Sequence, residues 1–343
     1  ARRAVSQLLD AKRPDIVHCR NIYHHLSPSI LAEFQERGIP VVMTIADYKL
    51  VCPNYKLFRN GTVCNECTPG RYHPALLHKC VKDSFLASAL CAAEAVYHHH
   101  SRAYADRLTA ILTPSRFACT VLADHGLPTD KLAVLRHFLD PSEWSSPPST
   151  PSGRPYLVAF GRLSPEKGID VAISAIAKVR GVDLAVVGQG PEESSLRRTA
   201  EREAPGRVRF LGYRQGDDLR RIIADSLAVV MPSVWYEVFG LSVLESFALG
   251  KAVVGSRIGA IPELVIDDET GLTFAPGDAD DLARQVSALV SDPALATRMG
   301  AAAKAMVALD LGPERHYRDL IKIYEASIER RLPGGDCPDF NRR

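Results

Sequence analysis

The feature that most constrains this chain is a regular alternation in its second half. Short apolar runs recur at YLVAF (156–160), VDLAVVG (182–188), RVRFLG (207–212), LAVVMPS (227–233) and KAVVGS (251–256). Amphipathic stretches such as IDVAISAIAKV (169–179) and DDLRRIIADS (217–226) lie between them. Strands this short and continuously apolar are buried on both faces. Their alternation with helices predicts a parallel sheet covered on both sides. Further helices are predicted at 279–291, 293–307 and 313–331.

The first half has the same grammar with less regularity. DIVHC (15–19), PVVMTI (40–45), LTAILTPS (108–115) and LAVLRH (132–137) are predicted strands. SPSILAEFQERG (27–38) is a predicted helix, with Ser27 as cap, Pro28 at its first position and Gly38 at its end. Residues 82–107 read as one long helix, in which His98, His99 and His100 are a solvated or packed segment rather than metal ligands. The stretch PSEWSSPPSTPSGRP (141–155) has no apolar periodicity and reads as an interdomain linker.

A length of 343 residues accommodates two such α/β domains. The predicted organisation is a first domain at 1–140 with a cysteine-rich loop at 50–82, and a linker at 141–154. A second domain follows at 155–315, then a C-terminal helix at 316–332 packing back on the first domain, then a flexible tail at 333–343. Lys and Arg number 42 against 40 Asp and Glu, so there is no electrostatic footprint for nucleic acid. No apolar run reaches the roughly 18 residues that span a bilayer. The opening ARRAVSQLLDAKRPDIVH lacks the apolar core of a signal peptide and reads as the end of a helix entering a strand. These readings predict a cytoplasmic protein whose first domain lacks its opening strands.

In open parallel sheets ligands bind outside the carboxyl ends of the strands, so the loops there carry the chemistry. The loop after YLVAF holds Arg162 and Lys167, two cations entering a helix N-terminus, a pattern that suits phosphate. Two solvated surface cations would look the same. The next loop holds Gly188 and Gly190, which let a ligand approach the backbone closely, although a tight strand-to-helix turn would look the same. No third glycine completes a dinucleotide fingerprint. The most informative loop follows LAVVMPS: Glu237 precedes a helix and Glu245 lies eight residues on, inside it. Backbone N–H groups near Phe239, Gly240 and Leu241 can face an anion, and a carboxylate on either side can hold hydroxyls. That layout suits a diphosphate with a sugar at each end. Two ordinary acids at a helix start are the plainer alternative.

Eight cysteines are present, four of them clustered as C-x11-C-x2-C-x12-C at Cys52, Cys64, Cys67 and Cys80. Three readings stand: a structural zinc shell, with His73 or His78 able to substitute as ligands; disulfides in an oxidising compartment; or buried free thiols. Cys19, Cys91, Cys119 and Cys337 are scattered and read as packing residues.

The pair Glu237 and Glu245, with GRLSPEKG, VVGQGP, FLGY and GAIPELV, resembles glycosyltransferase family 4. The segment NIYHHLSPSIL, followed by TIADYKLVCPNYKLFRNG and the cysteine loop, is similar to bacterial members from polysaccharide and lipopolysaccharide clusters. The resemblance implies a GT-B fold, two Rossmann-like doubly wound domains facing across a cleft. It also implies a retaining enzyme with no metal at the catalytic centre, which moves a sugar from a nucleoside diphosphate to a glycan or lipid-linked acceptor. By that resemblance Arg162 and Lys167 hold the donor diphosphate, Glu245 the ribose hydroxyls and Glu237 the donor sugar. Phe239, Gly240 and Leu241 add backbone contacts. Gly188 and Gly190 shape the nucleotide pocket, and Gly212, Tyr213 and Arg214 lie by the base. Peripheral contact with the inner membrane leaflet is compatible with such an acceptor, although the basic residues form no run that argues it.

Three departures qualify the resemblance. Ala46 stands where the family usually has His before Asp47, so Asp47 has an open role. Arg136-His137-Phe138 replaces a common Pro-Asn, and His137 reads as a surface or hinge residue. No Gly-rich loop precedes Asp15. The alternative function is therefore a nucleotide-sugar-binding homologue with impaired turnover. An epimerase lacks clear acid–base candidates beyond the carboxylates already assigned.

Overall fold

The computed structural model describes residues 1–23, 26–145 and 153–329. The chain divides into two compact units. One comprises Ala1–Arg59, Cys64–Arg136 and the residues from His316 onward; the other comprises Asn60–Val63 and His137–Arg315.

The first unit begins with α1 (Arg2–Ala11), β1 (Val17–Arg20), α2 (Ile30–Glu36) and β2 (Val41–Thr44). The cysteine-containing segment carries the two-residue strands β3 (Phe58–Arg59) and β4 (Thr62–Val63), then α3 (His73–Leu77). After it come α4 (Phe85–His100), α5 (Ala103–Arg107), β5 (Ala110–Thr113), α6 (Arg116–Asp124) and β6 (Leu132–Val134). The strands form one sheet in the order β1-β2-β5-β6, every pairing parallel. The predicted helix at 27–38 starts later than its sequence suggests. Ser27 adopts a left-handed backbone and its hydroxyl accepts the Ser29 N–H, so regular helix begins at Ile30. The single helix read over 82–107 is two helices. Ser84 caps α4, whose run ends where Arg102 takes a left-handed conformation (φ 46°) before α5.

The second unit runs β7 (Tyr156–Phe160), α7 (Ile169–Lys178), β8 (Asp183–Val187), α8 (Glu193–Glu203), β9 (Val208–Gly212) and α9 (Gly216–Ala224). It continues with β10 (Ala228–Met231), α10 (Leu241–Ala248), β11 (Val253–Ser256), β12 (Gly271–Phe274), α11 (Ala279–Ser291) and α12 (Pro293–Asp310). Strand β12, written TGLTFA with a glycine and two threonines, is too weakly apolar to have stood out in the sequence. The sheet order is β12-β11-β10-β7-β8-β9, all parallel. Numbered from β7 as first strand and read from β9, this is 3-2-1-4-5-6, the doubly wound Rossmann order. Apolar side chains fill both faces. Ile173, Ile176, Val186, Leu282 and Met299 lie on one side, and Val158, Met231, Leu244, Phe247 and Val307 on the other.

Residues 141–144 are not a free spacer. They form a 3-10 turn capped by Asp140, and Trp144 packs on the second unit's core. Residues 146–152 of the predicted linker, the predicted tail at 333–343 and Cys337 lie outside the described residues. The last helix, α13 (Pro313–Ile328), carries Leu320, Ile323 and Tyr324. These side chains pack on Val42, Leu112 and Leu135 of the first sheet.

Candidate functional site

In a doubly wound sheet the crevice opens at the switch point, between the first and fourth strands. Here those strands are β7 and β10, which pair directly at Ala228–Leu157 and Val229–Val158. The loops that leave their carboxyl ends are 161–168 and 232–240. Those loops hold Arg162, Lys167 and Glu237.

Backbone contacts too close for any side chain stitch the loops together. A Cβ at Gly188 would collide with the carbonyl oxygen of Gly161, and one at Gly190 with that of Leu163. Gly161 N–H donates to Val187 O at 2.9 Å, and Leu163 N–H to Gln189 O at 2.9 Å. Gly188 and Gly190 therefore have a structural reason to be glycine, namely the docking of the β8 loop on the β7 loop. Two other glycines act in the same way. A Cβ at Gly168 would strike the Pro232 carbonyl, and one at Gly259 would strike the Glu237 backbone.

This packing aims Glu237. Its side chain is buried, and Oε1 accepts from Lys167 Nζ at 2.6 Å and from Ser233 Oγ at 2.7 Å. Its backbone is fixed by Ala260 N–H, which donates to Glu237 O at 2.9 Å. Lys167 Nζ also sits 5.4 Å above the Trp235 ring. Sequence reasoning missed Trp235, Ser164, Ser233 and Gly259. Trp235 Nε1 and Ser164 Oγ are buried polar atoms with no partner among the described residues, a state that native interiors rarely leave unfilled. Arg162, by contrast, is exposed at the rim.

Helix α10 opens on Gly240, in the left-handed region at φ 99°, with no side-chain cap. The first N–H groups of the helix are thus available to an anion. Phe239 is buried, with its ring edge-on to His137 at 5.1 Å, so His137 is a packing residue beside this loop. Glu245, on the second turn, has no hydrogen-bond or ion-pair partner for its carboxylate among the described residues. Burial pushes its pKa up to about 7. Tyr213 is exposed and donates from its hydroxyl to Gln215 Oε1 at 3.2 Å. The second unit thus brings Arg162, Lys167, Gly188, Gly190, Glu237, Phe239, Gly240, Leu241 and Glu245 to one edge of its sheet. Asp47 belongs to the first unit, where its Oδ1 accepts the Lys49 N–H at 2.9 Å.

The expected zinc shell is not formed. Among the described residues no three His, Cys, Asp or Glu side chains are arranged to hold a metal ion. Cys52, Cys64, Cys67 and Cys80 are free thiols, so the disulfide reading fails as well. They do share one neighbourhood. Burial, reinforced by Cys52 and other nearby thiols, pushes Cys67 up to about 12. Cys67 and Cys80 pack with Tyr72, Ala75 and Ala92 as apolar groups in a small satellite core. His78, offered as a substitute ligand, bonds instead to Glu66 Oε2 at 2.8 Å, and His73 is exposed.

Residues 141–306 match the family described as Glycosyl transferases group 1. Over 186 residues the chain is 34% identical to a glycogen synthase of Mycobacterium tuberculosis (strain CDC 1551 / Oshkosh), covering 52% of this chain and 45% of that protein. Over 151 residues it is 36% identical to the lipopolysaccharide core biosynthesis glycosyltransferase LpsE of Rhizobium meliloti (strain 1021), covering 44% of each. The chain spans about half the length of the curated relatives it matches. Among solved structures, Anabaena HepE in complex with UDP superposes with a TM-score of 0.73 at 18% identity, covering 94% of this chain and 81% of that one. Sucrose-phosphate synthase from Thermosynechococcus elongatus gives 0.71 at 20% identity, covering 94% and 76%. The class is therefore defined by fold: two Rossmann-like α/β units, the GT-B fold. Within the chain, the stretch that matches the glycosyl transferase group 1 family is the one that carries the site.

Proposed function

We propose that this chain belongs to a glycosyltransferase that moves a sugar from a nucleoside diphosphate to a glycan or lipid-linked acceptor, with retention at the anomeric carbon. The observation that carries the reading is the convergence of Lys167, Glu237 and the open N-terminus of α10 at the switch point. As the sugar–phosphate bond breaks, negative charge develops on the departing diphosphate. Fixed positive groups lower the barrier only if they are in place beforehand. Lys167, Arg162 and the N–H groups of α10 supply them. Glu237 accepts donor sugar hydroxyls, and Glu245 the ribose hydroxyls. The UDP in the HepE structure supports uridine diphosphate sugars as the first donors to try. A lipid-linked acceptor would bring the protein to a membrane surface as a peripheral visitor. No helix among the described residues is long and apolar enough to cross one.

One observation favours a second reading: Ala46 precedes Asp47 where the resembling family carries His. A chain that binds the donor without turning it over fits that substitution. Nucleotide release, measured with a panel of nucleoside diphosphate sugars and glycan acceptors, separates the two. Donor binding with release supports transfer. Donor binding without release, in both this chain and the Ala46→His variant, overturns transfer and leaves the binding homologue.

A further inference from the structure

The first unit holds a partly open cavity of about 80 Å³ lined by none of the donor-site residues above. Five segments converge on it: the loop after β2, the residue before α3, and parts of α4, α5 and the turn after α6. Its polar lining is mostly cationic or imidazole. Lys49, Arg102, His98, His99 and His125 face it, with Glu94 as the one carboxylate. Lys49 is a built-in charge, since its side chain is only 6% exposed. Its Nζ donates to Glu94 Oε2 at 2.9 Å and to Pro53 O at 3.4 Å, which leaves one of its three hydrogens. Arg102 stands at the left-handed break between α4 and α5. It binds Asp106 through Nε alone, at 3.0 Å, so both terminal nitrogens remain for another acceptor. His125 Nδ1 donates to Val121 O at 2.7 Å, so Nε2 faces a ligand as a lone pair when the ring is neutral and as a second N–H only when it is protonated. His98 Nδ1 is buried with no partner among the described residues.

Glu94 is already neutralised by Lys49, and Asp106 by Arg102. The two ion pairs balance in charge, so what the cavity offers an acceptor is the third Lys49 hydrogen and the terminal nitrogens of Arg102, whose side chain is 66% exposed. A single water needs roughly 10–15 Å³ of cavity space, so the volume suits several waters or one compact oxyanion. We propose that this cavity binds a phosphate group, either as inorganic phosphate or as the phosphomonoester end of a larger molecule. Its oxygens would accept from the third Lys49 hydrogen, from the terminal nitrogens of Arg102 and from the imidazole N–H groups that face the cavity. This inference stands apart from the reading of the donor site.

The test is calorimetric titration of the full chain with inorganic phosphate and, separately, with glycerol phosphate, at matched ionic strength. Saturable binding of either supports the proposal. Tighter binding of the ester assigns the site to a phosphorylated molecule, and binding of phosphate alone assigns it to the free anion. Arg102→Asn keeps a residue tolerant of the left-handed backbone and removes the guanidinium, and it should weaken binding about tenfold or more. Ala105→Leu fills the cavity without changing charge and should abolish binding. Arg154→Gln, at an exposed position in the other unit, should leave it unchanged. No saturable binding of either probe, or binding that survives both cavity variants, overturns the proposal.

Discussion

Lys167 and Glu237, 70 residues apart in sequence, form a 2.6 Å ion pair between the loops that follow the two central strands of the second sheet. The carboxylate is buried and the ammonium only partly exposed, so removing either partner leaves the other without its counter-charge. On the proposed reading, a donor shares Lys167 with Glu237 rather than finding it free.

Removing the lysine should therefore act twice. Lys167→Ala should weaken nucleotide-sugar binding by about 1.5–3 kcal/mol, the range for a hydrogen bond to a charged group. It should also lower the melting temperature, because it strands the Glu237 carboxylate. Adding Glu237→Gln should recover part of that stability, and the coupling from a double-mutant cycle should reach about 1 kcal/mol. Additive stabilities would show that the pair has no energetic reality.

Arg162 provides the contrast. It is exposed at the rim, so Arg162→Ala should leave stability within about 0.5 kcal/mol. Donor affinity should still fall by roughly tenfold if the guanidinium reaches the diphosphate. Titration of both variants beside the parent chain would show binding lost without stability lost at Arg162, and both lost at Lys167.

Glu245 predicts a pH dependence. Burial raises its pKa to about 7, so the folded chain holds a proton that the unfolded chain releases at lower pH. Its contribution to stability is therefore most favourable below the unfolded value and declines as pH rises to about 7. If Glu245 holds the ribose as proposed, donor binding runs the other way, because the ionised carboxylate is the stronger acceptor for its hydroxyls. Affinity for a nucleotide sugar, whose diphosphate does not titrate near neutrality, should tighten from about pH 6 to pH 8 and flatten above. Glu245→Gln should remove that slope; an unchanged slope would reassign the titrating group.

Gly190→Ala should be severe for a reason unrelated to ligand. The added methyl meets the Leu163 carbonyl, and neither backbone can move without breaking the contact between the β7 and β8 loops. A loss of about 2–4 kcal/mol is expected in denaturant unfolding. A loss of donor affinity at full stability would make the residue a pocket-shaping one only.

Much of the candidate site's placement was legible, because the apolar runs mark the strands and so the loops that leave their carboxyl ends. Arg162, Lys167, Glu237 and Glu245 could be named from the loops alone. Trp235 and Ser164 could not, because what marks them is a buried donor without a partner, and burial at a loop has no sequence period. The role of Gly188 and Gly190 was half legible. The sequence reading expected a ligand against the backbone there, whereas the structure places the neighbouring loop's backbone against both glycines. The cysteine cluster was misread for a related reason. Spacing gives ligand count but not side-chain direction, and here the thiols pack among apolar groups while His78 turns to Glu66.

By itself the sequence determined that this chain alternates strands with helices in two α/β stretches, because apolar periodicity records which faces are buried. Only the tertiary structure decided which strands are neighbours. The order β9-β8-β7-β10-β11-β12 lays β7 against β10, although two intervening strands separate them along the chain. That adjacency comes from helical crossovers packing on both faces of the sheet, a long-range choice that no local pattern encodes. It is this adjacency that brings Lys167 to Glu237.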